Sequence, residues 1–161
     1  MKGEKVWNLC MQVTQELALH PDTMLQFSAT QIWEFIESGM GILIPHPHNP
    51  TELAAFAKLY QWPGHNQQGK ILYEFGSWVV PAKHQNQEFG KNVLHKIVQQ
   101  GKYVTPDCQI IGVTEHHNTK PIAVMSQAGG ISLAKDQWPS NLKIKLGGGK
   151  TQVVVIDVSN I

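Results

Sequence analysis

An apolar run ended by proline, a short polar loop and an amphipathic helix follow one another between Ile71 and Gln100. The run Ile71-Leu-Tyr-Glu-Phe-Gly-Ser-Trp-Val-Val80 reads as a strand, and Pro81 stops it. Gln85-Asn-Gln-Glu-Phe-Gly90 is the loop. Phe89, Val93, Leu94, Ile97 and Val98 then share one helical stripe, which predicts a helix over Glu88–Gln100 stopped by Gly101. A further strand is expected at Gln109–Thr114. Strand, helix, strand at this spacing demands a parallel pairing with a right-handed crossover. The same order aims backbone N–H groups and the positive end of a helix dipole at one spot. Anions bind at such spots, phosphates most often.

The rest of the chain supplies partners for that unit. Lys5 to His20 reads as a helix with Val6, Cys10, Val13 and Leu17 on one face, ended by Pro21-Asp22. Ser28-Ala-Thr-Gln31 is a capping box opening a helix that carries Ile32, Phe35 and Ile36, with Gly39 as its stop. Gly41–Pro45 is a short strand, His46-Pro-His-Asn-Pro50 a turn-rich loop, Leu53–Gln61 a second strand and Pro63-Gly-His-Asn66 its hairpin turn. With Ile71–Val80 these strands form an antiparallel meander. Thr119 to Ala128 is the last helix, and Leu142–Leu146 with Thr151–Val158 a C-terminal hairpin around Gly147-Gly-Gly-Lys150. The triple glycine is a flexible turn rather than a phosphate loop, because no helix follows it. His46 and His48 have no acidic or cysteine partner nearby in sequence, so they read as loop histidines rather than metal ligands.

With 161 residues, one domain spanning 1–161 is expected, with room for a real core. A formal net charge of +1 carries no nucleic-acid footprint. No apolar run approaches the length of a membrane span, and the N-terminus lacks the apolar centre of a signal peptide. Cys10 and Cys108 show no metal-binding or redox spacing. Two reduced thiols in a cytoplasmic chain is the reading that follows.

The order of residues resembles the GNAT superfamily of acyl-CoA-dependent N-acetyltransferases. Motif A of that family is a strand ending near Val-x-Pro, then Gln/Arg-x-x-Gly-x-Gly/Ala, then a helix. Gln85 holds the first position of the loop and Gly90 the last, while Glu88 stands where the first glycine belongs. Motif B matches as the strand Gln109–Glu115, then Asn118, then a helix closing at Gly129-Gly130. The resemblance covers roughly Gly41 to Ile156. It implies an α/β (α+β) fold: a mixed, mostly antiparallel sheet with a splayed parallel pair, flanked by helices. The strand with which the family usually begins is missing ahead of the first helix. That leaves a sheet edge unpaired, and a homodimer is expected from it.

The resemblance also implies chemistry. Acetyl-CoA or another acyl-CoA would be the co-substrate, lying along the backbone of Trp78, Val79 and Val80. Its pyrophosphate would rest on Gln85, Asn86, Gln87, Glu88, Phe89, Gly90 and Lys91, and Asn118 would also contact it. Without the resemblance, the loop is an ordinary turn and Asn118 a helix-entry residue. Glu74 lies in an otherwise apolar strand, eleven residues before Gln85. A strand glutamate at that offset is the general base in the histone-acetylating branch of the family; strand alternation equally allows a solvated face. Many members place a tyrosine in the motif B helix to protonate the leaving thiolate, and that position is Met125, which donates no proton. His116 or His117 is then left to help the thiolate leave, or it leaves unassisted. Trp33, Trp62 and Trp138 are acceptor-pocket candidates, each read singly as core. The implied reaction is direct acyl transfer to a primary amine of a small molecule or peptide, with no nucleic acid and no membrane as partner and no metal. The alternative is a non-catalytic GNAT-like acyl-CoA-binding or protein-interaction module, favoured by Glu88 and Met125.

Overall fold

A computed structural model describes residues 2–22, 24–65, 69–115, 119–138 and 151–160. They form helices on a six-stranded sheet whose order is β1 (Gly41–His46), β2 (Asn49–His65), β3 (Ile71–Val79), β4 (Cys108–Glu115), β6 (Thr151–Asp157) and β5 (Ile131–Leu133). The chain divides into two compact units, Met1–Leu59 with Ser77–Ile97, and Tyr60–Gly76 with Val98–Ile161.

In the first unit, α1 (Lys2–Ala18) turns Leu9, Cys10, Val13 and Leu17 into the core. The helix α2 (Ala29–Glu37) starts as its sequence dictates. Gln31 N–H donates to Ser28 Oγ at 3.3 Å and Ser28 N–H donates to Gln31 Oε1 at 2.9 Å, so two amides at the helix start are satisfied reciprocally. Strands β1 (Gly41–His46) and β2 (Asn49–His65) pair antiparallel from Gly41↔Lys58 to His46↔Asn49. The expected loop at His46–Pro50 is therefore shorter than the sequence indicates: only Pro47 and His48 turn, and His46, Asn49 and Pro50 are strand. Irregular register flanks Pro45 on both sides, which fits a residue without a donor in an edge strand. The side-chain amide of Gln12 in α1 acts as a strand partner for β2. It donates to Thr51 O at 2.8 Å and accepts from Leu53 N–H at 2.8 Å. Ile32, Leu53, Phe56 and Val79 complete this core, with Trp33 packed against it.

In the second unit, the first part of β3 (Ile71–Val79) pairs parallel with β4 (Cys108–Glu115), from Ile71↔Cys108 to Phe75↔Gly112. The connecting helix α3 (Phe89–Val104) makes this the expected strand–helix–strand unit. Two boundaries of α3 differ from expectation. Glu88 precedes the helix, and Gly101 lies within it, its carbonyl accepting from Thr105 N–H at 2.8 Å. One interior glycine costs a helix only about 1 kcal/mol, which continued packing outweighs. Helix α4 (Thr119–Gln127) ends in a Schellman cap. Gly130 N–H donates to Met125 O at 2.8 Å and Gly129 N–H to Ser126 O at 3.1 Å, with Gly129 at φ +90°.

A strand that the sequence did not reveal, β5 (Ile131–Leu133), pairs antiparallel with β6 (Thr151–Asp157), which also pairs with β4. Trp62, Leu72, Ile111, Trp138 and Val153 form the core here. Of the turn expected at Pro63–Asn66, Pro63, Gly64 and His65 instead belong to β2. Asn66, the strand expected at Leu142–Leu146 and the triple glycine lie outside the described residues. No helix among the described residues is long and apolar enough to cross a membrane.

Candidate functional site

Between Pro81 and α3 the chain makes a 3-10 turn, Ala82–His84, and then four exposed residues, Gln85 to Glu88. Asn86 has φ +65° and Glu88 φ +67°. Asparagine adopts the left-handed region with little cost; glutamate does not. Position 88 thus has a backbone of the kind glycine favours while carrying a glutamate side chain. Gln85, before Asn86, is extended, at φ −64° and ψ 149°, so Gln85 and Asn86 have the φ signs of the two central residues of a type II turn. The N–H groups of Phe89, Gly90 and Lys91 in the first turn of α3 have no acceptor within the helix, and with the positive end of the helix dipole they offer a surface for an anion. Glu88 O accepts from Asn92 N–H at 2.9 Å and so begins the helical ladder.

Gly90 lies in close approach to a side chain. A Cβ there would sit 3.1 Å from the Trp78 indole, so α3 starts flush against the end of β3. Val79 is buried in the core of this unit, and Val80 O accepts a long 3.5 Å hydrogen bond from the Gln85 amide. The Gln87 amide donates to Lys83 O at 3.1 Å. The structure thus brings Trp78, Val79, Val80 and Gln85 to Lys91 together within one unit. Asn118, His116 and His117 lie outside the described residues.

Glu88→Gly measures the strain directly. The left-handed backbone costs a non-glycine residue about 1–2 kcal/mol, and glycine's extra unfolded-chain entropy returns about 0.5–1 kcal/mol of that. The difference is about 0–1.5 kcal/mol, so the variant is expected to be at least as stable as the wild type in urea unfolding. Lower stability would mean that Glu88 is not held left-handed in solution.

Sequence reasoning passed over the residues that hold this loop. His84 is buried, 7% exposed, and its Nε2–H donates to Glu52 Oε1 of β2 at 2.8 Å. The Lys83 ammonium pairs with the same oxygen, and Asn49 Nδ2 donates to Glu52 Oε2 at 3.3 Å. The bonds from Lys83 and His84 hold the Glu52 carboxyl down to about 2. His46 stacks on His84 with ring centres 4.8 Å apart and planes at 28°, and Phe89 meets His84 edge-on at 5.8 Å. No group of three or more metal-ligating side chains is poised for a cation among the described residues.

Glu74 belongs to the second unit. It is half-buried, and its Oε2 accepts from the Trp62 indole N–H at 3.0 Å. Trp62 is itself part of the core, 7% exposed, so the carboxylate is oriented by a rigid donor. Met125 is 3% exposed and lies on β4 at Gly112, where any Cβ would overlap its sulfur. Trp62 and Trp138 are both core residues of this unit, as read from the sequence. Lys70 bridges Asp157 at 2.8 Å and Asp107 at 3.0 Å. Burial opposes the charged form of Asp157, but hydrogen bonds from Lys70, Ser159 and Gln109 more than reverse this and hold its carboxyl well below the usual range.

No protein-family model matches the sequence, and no curated protein matches it either. Solved structures do. The chain is similar to N-acetylglutamate synthase from Neisseria gonorrhoeae in complex with coenzyme A and N-acetyl-glutamate, with a TM-score of 0.66 and 13% identity over 91% of this chain. It spans about a third of that protein's length, 32%. Rv2747 from Mycobacterium tuberculosis, in complex with CoA, is similar over 94% of this chain and 95% of its own, with a TM-score of 0.67 and 8% identity. An acetyltransferase of the GNAT family from Staphylococcus aureus Mu50 follows at a TM-score of 0.61 and 13% identity, over 94% and 92% of the two chains. The fold is that of the GNAT N-acetyltransferases.

Proposed function

We infer that the chain is an acyl-CoA-dependent N-acyltransferase that moves an acyl group directly to a primary amine of a small molecule or peptide. The observation that carries this is the loop at Gln85–Gly90. Its backbone is left-handed at Asn86 and Glu88, it opens α3, and it stands in a fold whose solved examples include proteins in complex with CoA. The residues fit the group. Gln85 to Lys91 would hold the pyrophosphate on backbone amides, the backbone of Trp78, Val79 and Val80 would run beside the pantetheine as an added strand does, and Asn118 would add a contact. Acyl-CoA supplies the activated thioester. Glu74 would accept the ammonium proton, directly or through water, and a backbone N–H at Val79 or Val80 would polarise the carbonyl.

Acetyl-CoA binding tests this. A ligand that binds only the folded state raises the melting temperature by mass action. Acetyl-CoA is expected to do so, and calorimetry without heat of binding at millimolar acetyl-CoA would refute the reading. Glu88 modulates the same site. Its carboxylate is repelled by a pyrophosphate, so Glu88→Gly is expected to bind CoA more tightly, and more so at low salt where screening is weak; unchanged affinity would mean that the carboxylate points away from the site. A second reading, a non-catalytic module on the same fold, draws on Met125, whose thioether puts no proton donor at that position of α4. A homodimer through the edge strand β1 remains part of the proposal, although Pro45 and the irregular register beside it weaken that edge as a template; light scattering of a clean monomer at high concentration would remove it.

A further inference from the structure

Two left-handed residues within four exposed ones do not hold themselves in place. Strained backbone persists only where its surroundings over-determine it. Here the loop is fastened at both ends. On one side His84 is buried, hydrogen-bonded to Glu52 of β2 at 2.8 Å and stacked on His46 of β1. On the other, Phe89, the first residue of α3, is 9% exposed and packs on both histidines, 5.6 Å from His46 and 5.8 Å from His84. Only Gln85 to Glu88 lie between these anchors. Glu52 is itself fixed by Lys83 and Asn49, so its oxygens have little freedom to swing away from His84.

We propose that Glu52 and His84 are positioning residues for the pyrophosphate of acyl-CoA: their hydrogen bond, backed by the His46–His84–Phe89 stack, keeps Asn86 and Glu88 left-handed and so keeps the loop amides aimed at one point. The proposal rests on the reading of the chain as an acyl-CoA binder and adds which side chains make that loop ready. Neither residue needs to touch the ligand. Both act through the backbone, and a pre-organised loop binds more tightly because it orders less on binding.

The test uses the whole chain with Glu52→Leu, which keeps much of the volume and removes the acceptor, and His84→Phe, which keeps the stack and removes the hydrogen bond. Amide hydrogen exchange at residues 85–90 reads the loop without any ligand. Calorimetry with CoA, and with millimolar pantetheine, which lacks the pyrophosphate, reads its use. Faster exchange confined to the loop, CoA affinity lower by about tenfold or more and pantetheine affinity unchanged are expected. Wild-type exchange and wild-type CoA affinity in both variants would overturn the proposal. So would an equal loss for CoA and pantetheine, which would mark general loosening. Wild type that binds neither ligand would overturn the functional reading instead, and the exchange rates would then decide separately whether the anchor exists.

Discussion

Glu74→Gln is expected to lower turnover by about a hundredfold or more while leaving CoA affinity nearly unchanged. The substitution keeps the shape of the side chain and its acceptor oxygen for the Trp62 indole, so the surrounding packing is preserved. What it removes is the ability to take a proton from an ammonium nucleophile. Trp62→Phe probes the same carboxylate from outside. It deletes the donor 3.0 Å from Oε2 and keeps most of the apolar contact with Leu72, Ile111 and Trp138. A smaller fall in turnover is expected, because the base survives but loses the hydrogen bond from the indole. A broad amine screen with detection of released CoA thiol compares the three proteins. Equal rates for wild type and Glu74→Gln remove Glu74 from the chemistry. No rate in any of them, with acetyl-CoA bound, moves the weight to the non-catalytic reading.

Met125→Tyr would supply the phenol that many GNAT members carry in the motif B helix, but the site of Met125 resists it. The side chain is 3% exposed, and its sulfur fills the space that a Cβ on Gly112 would take. A ring there overpacks the junction of α4 and β4, and destabilisation of about 1–3 kcal/mol is expected in place of a gain in rate. Gly112→Ala drives a methyl group into the same sulfur and is expected to cost a similar amount. Met125→Ala removes the obstacle at about 2–5 kcal/mol of its own. The decisive measurement is the double-mutant cycle. Gly112→Ala with Met125→Ala should cost less than the two added together, by about 0.5–3 kcal/mol, because the new methyl group occupies part of the cavity. Strict additivity would mean that the two residues do not touch.

The elements that could be read from sequence are those whose signals are local. Ser28 and Gln31 named the start of α2 and made the reciprocal bonds expected of them. The stripe from Phe89 to Val98 found α3 because apolar spacing alone decides that face. Where local and tertiary signals conflict, the sequence misled. Pro63-Gly64 has the composition of a turn, yet β2 runs through it. Gly101 has the look of a helix stop, yet α3 continues to Val104. The three residues of β5 carry no periodicity long enough to detect, and Ile131 and Ser132 are both exposed, so neither composition nor pattern marks them. The candidate site divides the same way. The left-handed backbone at Glu88 falls where the resembled motif carries a glycine. The contribution of Glu52 and His46 was not legible, since a hydrogen bond and a ring stack between residues more than thirty positions apart leave no trace in spacing. A histidine directly before Gln85 was the one available hint.

The two cysteines have a practical bearing on how transfer is measured. Cys10 and Cys108 are both fully buried, and desolvation pushes each thiol up to about 11. At pH 8 only about one such thiol in a thousand is ionised, and only the thiolate attacks an aromatic disulfide reagent. The native chain should therefore be silent in a colorimetric thiol assay, and any colour that grows with time would be CoA set free by transfer. In denaturant the same chain should show two thiols at once, which makes the silence of the folded protein an internal gauge of its integrity during the assay.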